Sequence, residues 1–393
     1  MDREPSKGIL PSQEIRRFVS SGIIRSPIQV LEEQYQPASI DLRLGRVAFR
    51  VRASFLPGRS TTLLTKITAG DLLLNTIELT DSALLEPNLV YVVPLLESLD
   101  LPQDVYGIAN PKSTTGRLDI FTRLITERGD EFERVPRGYS GALYVEIVSR
   151  TFPIKLQTGM RLSQLRFVRG SSAPTGDGRL KELAKEDLVA PDDDGSDLTR
   201  ADISGGWPIT VDLQGNGSNI VAYQAKRRTR PVDLGKTNYY DVEEFWTPIP
   251  KPANGQLVLE EDGFYLLASK RKVRVRPDQA AEMVPYDPTM GEFRVHYAGF
   301  FDPGFGFGTN GEIPGTKAVL EVRAHHIPVL LEDDQLVGRL RYYKMAAVPD
   351  KVYGASIGSS YQQQGLALSK QFKRAEEYVS ASNPRLVAAG LGH

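Results

Sequence analysis

Short apolar runs with alternating polar positions recur along the chain and end at glycine, proline or clusters of small polar residues, the pattern of strands bounded by turns. Strands are predicted over Val47 to Val51, Leu72 to Leu79, Leu89 to Val93, Ala142 to Val148 and Arg161 to Val168. One short helix is predicted from Gln13 to Ser21, where Ile15, Phe18 and Val19 recur at helical spacing behind Pro11 and Ser12. The 35 glycines and 26 prolines are spread throughout, which fits a mainly β protein with few short helices. Between about Ser171 and Gly206 the chain turns polar and acidic, with Asp192, Asp193 and Asp194 in a row. That stretch reads as a linker with one helical turn around Leu180 to Leu188.

The pattern also repeats. Val145-Glu146, Pro153-Ile154 and Leu165-Arg166-Phe167 line up without a gap on Leu320-Glu321, Pro328-Val329 and Leu340-Arg341-Tyr342, at a constant offset of 175 residues. Upstream, Leu85-Glu86 and Tyr91 match Leu259-Glu260 and Tyr265, Pro102 matches Pro277, and Arg117 matches Arg294 as the offset drifts to 177. Ile40-Asp41-Leu42 has an echo in Val232-Asp233-Leu234. The expected organisation is two copies of one β-rich domain, 1–170 and 207–393, joined by the linker 171–206. The second copy carries a polar, glycine-bearing tail segment and a helix from about Lys370 to Ala389.

A chain of 393 residues with 40% hydrophobic and 25% charged residues has room for two sizeable cores. Forty-eight basic against forty-nine acidic residues leave a net charge of −1, without the excess expected of a nucleic-acid or membrane-surface binder, so a small-molecule partner is expected. The absence of cysteine excludes disulfides, thiolate nucleophiles and sulfur-held zinc. No apolar run approaches the roughly 18 residues of a membrane span, and Met1 to Lys7 is polar. A soluble, cytoplasmic protein is expected.

Strand alternation places Glu146 opposite Leu143, Val145 and Ile147, and Glu321 opposite Leu320 and Val322. Such a glutamate is either a solvated sheet residue or, on a partly covered face, a base whose affinity for protons is raised toward the working pH. Asn110-Pro111-Lys112-Ser113-Thr114-Thr115-Gly116-Arg117 offers hydroxyls, backbone N–H groups and two cations, a set that suits phosphate oxygens and equally an ordinary polar turn. The histidines are His296, His325, His326 and His393. The adjacent pair on a predicted strand points to opposite faces, so it makes no metal site. The zinc deaminase pattern needs cysteines and is excluded, and neither a phosphate-binding glycine loop nor a dinucleotide fingerprint is present.

The residues Gln36-Pro37-Ala38-Ser39-Ile40-Asp41-Leu42-Arg43-Leu44-Gly45, Ser113 to Arg117 and Gly138-Tyr139-Ser140-Gly141 before Val145-Glu146 resemble the dCTP deaminase branch of the trimeric dUTPase superfamily. So do Asp302-Pro303-Gly304-Phe305 before Leu320-Glu321, and Tyr353-Gly354 through Tyr361-Gln362-Gln363-Gln364-Gly365. The likeness covers most of both halves and is nearest the long, duplicated form. It implies two tandem distorted β-barrel (jelly-roll-like) domains, sites at subunit interfaces, and deamination of dCTP to dUTP, which feeds dUMP and dTTP synthesis. A glutamate activates water in that chemistry, with no zinc, and Mg²⁺ accompanies the triphosphate. By position, Glu146 and Glu321 fall on the catalytic glutamate, Ser113 and Arg117 on the serine and arginine beside it, and Arg294 repeats the arginine. Tyr353 and Gln364 fall on tail residues that close over the nucleotide, and Lys112 joins them as a substrate-binding residue.

Departures from that pattern are Met290 in place of the second serine, Pro136-Arg137-Gly138 in place of the first Asp-Pro-Gly turn, and Ser360 in place of a tail lysine. Shared sites are therefore expected, with Ser113, Arg117 and Glu146 forming the best-preserved set and the second copy's tail folding over it. Two copies cannot close a three-fold ring, so a homo-oligomer, a dimer or trimer of two-domain chains, is expected. The alternatives are a dUTP pyrophosphatase or bifunctional enzyme, which would call on an aspartate such as Asp130, and a non-catalytic nucleotide-binding protein.

Overall fold

The computed structural model describes residues 6–184, 203–215, 218–284, 293–295, 299–324, 327–354 and 365–373. The protein is mainly β. In the first half one sheet orders Arg134–Val135, Val105–Pro111, Arg161–Arg169, Ser39–Arg43 and Tyr35–Gln36, with Gly8–Ile9 added to Arg161–Arg169. A second orders Ile120–Thr126, Ser140–Ser149, Val90–Asp100, Val47–Val51 and Leu73–Glu78, with Ile24–Arg25 on Val90–Asp100. The second half repeats both in smaller form. Trp207–Thr210, Leu336–Lys344, Gln279–Val284 and Phe300–Phe301 make one sheet, and Trp246–Pro250, Ile220–Ala225, Phe264–Val273, Thr316–Ala324 and Phe293–Val295 the other.

Each of the five strands read from alternation is present, four of them within about two residues at either end and the one expected over Leu89 to Val93 running on as Val90–Asp100, and the first helix runs Ser12–Ser20 with Ile15 and Phe18 buried. Phe18 meets Phe167 edge-on at 5.6 Å, so the helix closes one end of the first-half core. The polar stretch after Ser171 forms a helix at Asp177–Leu183, and its Leu180 and Leu183 pack with Ile203 and Trp207 in the second-half core.

The two halves share a core rather than meeting at a wet seam. Val232, Phe245, Trp246 and Phe264 of the second half join the first-half cluster, where Phe152 lies 5.8 Å from Phe245 and 5.5 Å from Trp246. Each buried ring of this kind contributes about 1.5–3 kcal/mol, enough to fix the halves against each other. Val232–Asp233 also pairs in parallel with Ile154–Leu156 of the first half. This corrects the echo of Ile40-Asp41-Leu42. Ser39–Arg43 sits beside Arg161–Arg169, and the strand in that place in the second half is Trp207–Thr210, beside Leu336–Lys344.

Strand register corrects a second expectation. Ile120 pairs with Ser149, and Phe293 pairs with Ala324, the counterpart of Ser149 at the 175 offset. Arg294 therefore holds the ladder position of Phe121, not that of Arg117. The copied arginine was a chance match across a region where insertions let the alignment slide.

Candidate active site

Thr316–Ala324 carries Leu320 and Val322 into the second-half core, so Lys317, Val319, Glu321 and Arg323 look the other way, toward the first half. Opposite them stands the turn after Val105–Pro111, a short helix at Ser113–Gly116 that ends at Arg117. Two bonds fasten the turn to the Arg161–Arg169 strand: Lys112 N–H donates to the Leu162 carbonyl at 2.9 Å, and Thr115 Oγ1 donates to the same oxygen at 2.9 Å. Gly116 leaves the approach open, since a Cβ there would stand 3.1 Å from the Glu321 carboxyl, tighter than ordinary contact.

The result is a cleft of about 670 Å³ between the halves, lined by Lys112, Ser113, Arg117, Arg161, Glu321, Tyr353 and Lys370 among others. Glu321 is 7% exposed, and no described residue donates a hydrogen bond to its carboxyl. Burial pushes this carboxyl up to about 8, with Arg117 pulling it down and Asp119 adding to the rise. At the far end Asp41 pairs with Lys112. Lys370 is lowered by burial and then by the neighbouring cations Lys112 and Arg161, with Asp41 opposing. Three cations gathered this closely make a place for an anion.

The wall beside them is the Asp302-Pro303-Gly304 turn. Gly304 sits at φ 93°, and a Cβ on it would lie 2.8 Å from Val352. Only glycine lets the turn seat Tyr353, whose N–H donates to the Pro303 carbonyl at 2.7 Å and whose ring lies 5.3 Å from that of Phe305. Asp302 is pushed up to about 6 by burial against the opposing charge of Arg166.

Glu146 lies elsewhere. It faces the same way as Tyr144 on Ser140–Ser149, on the side where helix Leu63–Ala69 lays Leu63 and Ile67 against Val92, Ile125 and Tyr144. Its side chain is fully buried and takes the Arg123 Nε–H at 3.0 Å, while Arg123 stacks over Phe132 at 3.8 Å and donates to Ser54 Oγ at 2.6 Å. Within one chain the expected grouping of Ser113 and Arg117 with Glu146 is thus corrected: Glu321 takes the place beside Arg117.

A family model described as the N-terminal domain of 2'-deoxycytidine 5'-triphosphate deaminase matches residues 6–171, and one described as its C-terminal domain matches residues 176–372. The chain belongs to the dCTP deaminase family. A solved 2'-deoxycytidine 5'-triphosphate deaminase from Agrobacterium tumefaciens is 45% identical, with a TM-score of 0.80 over 88% of this chain and 100% of that one. A Parafrankia protein named "dCTP deaminase, dUMP-forming" is 33% identical over 173 residues, 42% of this chain and 77% of its own length. A Halorubrum lacusprofundi protein named "dCTP deaminase" is 28% identical over 153 residues, 38% of this chain and 71% of its own length.

The cleft brings together Lys112, Ser113, Arg117, Glu321 and Tyr353 of the residues expected from sequence. Gln364, Ser360, Met290 and the four histidines fall outside the described residues, as does the helix expected from Lys370 to Ala389 beyond residue 373; up to Lys373 the chain is a turn and a bridge to Tyr240. Asp130 pairs with Arg59 at 2.6 Å on the exposed surface, away from the cleft. Sequence reading missed Arg161, Lys370 and Asp302. Only Asp302 carried a signal, the Asp-Pro-Gly turn. No described helix is long and apolar enough to cross a membrane.

The raised Glu321 has a stability consequence. Its carboxyl moves from an ordinary 4.5 to about 8 in the fold, so the native state favours the neutral form. That contribution is full below about 4.5 and is lost as pH rises through about 8. Glu321→Gln cannot ionise, so its melting temperature is expected to gain on the wild type between pH 6 and pH 9. A constant difference across that range would show that Glu321 titrates normally.

Proposed function

We propose that the cleft between the halves hydrolyses dCTP to dUTP and ammonia, with Glu321 moving the protons. The observation that carries this assignment is a buried carboxyl, without a hydrogen-bond donor among the described residues, beside Arg117 and at one end of a cleft whose other end gathers Lys112, Arg161 and Lys370. dCTP deamination is the activity of the family; the roles follow from placement. Ionised Glu321 takes a proton from water as the oxygen bonds to C4 of the cytosine ring, and passes it to N3 as the C4–N3 double bond opens. The carboxylate then takes the second proton from the new C4 hydroxyl and delivers it to the exocyclic nitrogen, so that the C4–N4 bond breaks, C4=O forms and ammonia leaves. Arg117 favours the ionised carboxylate. The three cations take phosphate oxygens, and Mg²⁺ enters as part of the substrate, on the triphosphate.

In this reading Ser113 lines the base and sugar, and Tyr353 and Gln364 belong to the segment that closes over the nucleotide. Each half is read as a distorted barrel, 1–170 and 207–393 joined by 171–206, and chains associate as dimers or trimers in the cytoplasm. The test is ammonia release from dCTP, dCDP and dCMP, with chromatography of the product. Release from dCTP with dUTP as product is expected, because Asp130 is remote from the cleft and Asp41 is engaged by Lys112. Accumulation of dUMP would move the chain to the dUMP-forming type that names the Parafrankia relative. Binding of dCTP without ammonia would overturn the assignment.

A further inference from the structure

Two residues beyond each member of the Arg117 and Glu321 pair lies a second oppositely charged pair. Asp119 follows Arg117 in the first half, and Arg323 follows Glu321 on its strand and face. Asp119 is 1% exposed and Arg323 4%. Arg323 Nη2 donates to Asp119 Oδ2 and, at 3.0 Å, to Thr151 Oγ1, which itself donates to Asp119 Oδ2 at 2.6 Å. Arg323 Nη1 donates to the Asp262 carbonyl at 2.6 Å. Asp119 is held at φ 57°, a left-handed conformation, with its N–H on the Gly116 carbonyl at 2.9 Å and its own carbonyl taking the Arg150 N–H at 2.9 Å. A buried ion pair that bridges the halves, on a backbone this constrained, is an expensive feature unless its geometry is needed.

We infer that Asp119 and Arg323 are positioning residues for the deamination, setting where and how basic the Glu321 carboxylate is relative to Arg117. The inference rests on the reading of Glu321 as the base. Since no described side chain or backbone group donates to Glu321, its place in the cleft is set by its strand, and that strand is tied to the Ser113–Arg117 turn by the charge pair two residues on. The pair also sets the local field. Among the described residues, the charged groups facing Glu321 are Arg117 and Asp119 from the first half and Lys317 and Arg323 along its own strand. Lys317 is engaged by Asp212 at 2.5 Å, and the residue across the ladder on Phe264–Val273 is Leu266. Asp119 raises the carboxyl's hold on its proton, and Arg323 balances Asp119.

The test reads kcat, KM and the acid limb of kcat/KM in Asp119→Asn, Arg323→Gln and the double variant. Asp119→Asn removes the negative charge and leaves Arg323 unbalanced, so the limb should move down by roughly half a pH unit or more. Arg323→Gln leaves Asp119 unbalanced, so the limb should move up. Each should lower kcat about ten-fold with KM within about three-fold, the sign of a displaced group that acts only in the reaction. Should either single variant fail to fold, the double variant, which leaves no unpaired buried charge, carries the test; its limb should lie below the wild type, since Asp119 is the nearer charge. Opposite shifts in the singles, or that downward shift in the double, support the inference. An unmoved limb with losses that follow the folded fraction assigns the pair to stability alone and overturns it. If Glu321→Gln keeps its activity, the reading of the base fails and this inference falls with it. If Glu321→Gln is inactive and the limbs stay put, only the inference fails.

Discussion

Glu321→Gln is expected to lower kcat for dCTP by roughly 10² to 10⁴, the usual worth of a general base, while leaving nucleotide affinity within a few-fold. Glutamine keeps the size and the fit beside Gly116, where a Cβ would already stand 3.1 Å from the carboxyl, but it cannot take a proton from water. The decisive comparison is Glu146→Gln, the same change at the residue the repeat makes equivalent. Glu146 is fully buried under Arg123 and away from the cleft, so its loss strands a cation instead of removing a base. Removing one partner of a buried pair costs about 3–5 kcal/mol. Arg123 keeps 26% of its side chain exposed, which puts the cost at or below the low end. Folded Glu146→Gln should deaminate dCTP within a few-fold of the wild type. Ammonia release at saturating dCTP, normalised to folded protein, checks both; a dead Glu146→Gln with an active Glu321→Gln would reverse the assignment.

That Glu146 and Glu321 part company was not legible in the sequence, for a physical reason. Both sit on strands of the same alternation at a constant offset, and everything local to them matches. What separates them is the path of a connector. In the first half the chain between Val47–Val51 and Leu73–Glu78 folds down on its own sheet through Leu63 and Ile67. In the second half the chain between Ile220–Ala225 and Trp246–Pro250 crosses over, placing Val232 and Phe245 in the first-half core. The direction a loop takes is decided by the tertiary packing of a few apolar residues, and no periodicity records it. The strands, the first helix, the turn at Ser113 to Arg117 and the Asp302 turn were legible because alternation, helical spacing and turn residues are local signals. Arg294 was misread because matching residues across insertions ignores register, which only the ladder with Arg323 fixes. Lys370 gave no signal at all: it reaches the cleft because residues on either side of it are held by the rest of the fold.

Phe372→Ala tests that hold. Phe372 is 3% exposed and packs 5.4 Å from Phe245, 5.9 Å from Trp246 and 6.2 Å from Tyr240. Around it, Asn238 N–H donates to the Lys370 carbonyl at 2.8 Å, Tyr239 N–H to the Gln371 carbonyl at 2.9 Å, and Lys373 N–H to the Tyr240 carbonyl at 2.9 Å. Core Phe→Ala changes cost about 3–5 kcal/mol. Here the loss of global stability should level off below that, because residues 365–373 can leave as a unit once undocking becomes cheaper than keeping the cavity. Undocking removes Lys370 from the cleft and the Ala367 carbonyl from the Arg117 Nη1–H, now 3.1 Å apart. A charge-assisted bond is worth about 1.5–3 kcal/mol, so KM for dCTP should rise roughly 10-fold or more, with kcat at saturation falling less. The Asn238 and Tyr239 amides should exchange with solvent much faster, and Phe372→Leu, which refills most of the space, should recover both readouts. If those amides open while KM stays put, the segment is docked by Phe372 but Lys370 holds no phosphate, and the anion end of the cleft must then rest on Lys112 and Arg161 alone.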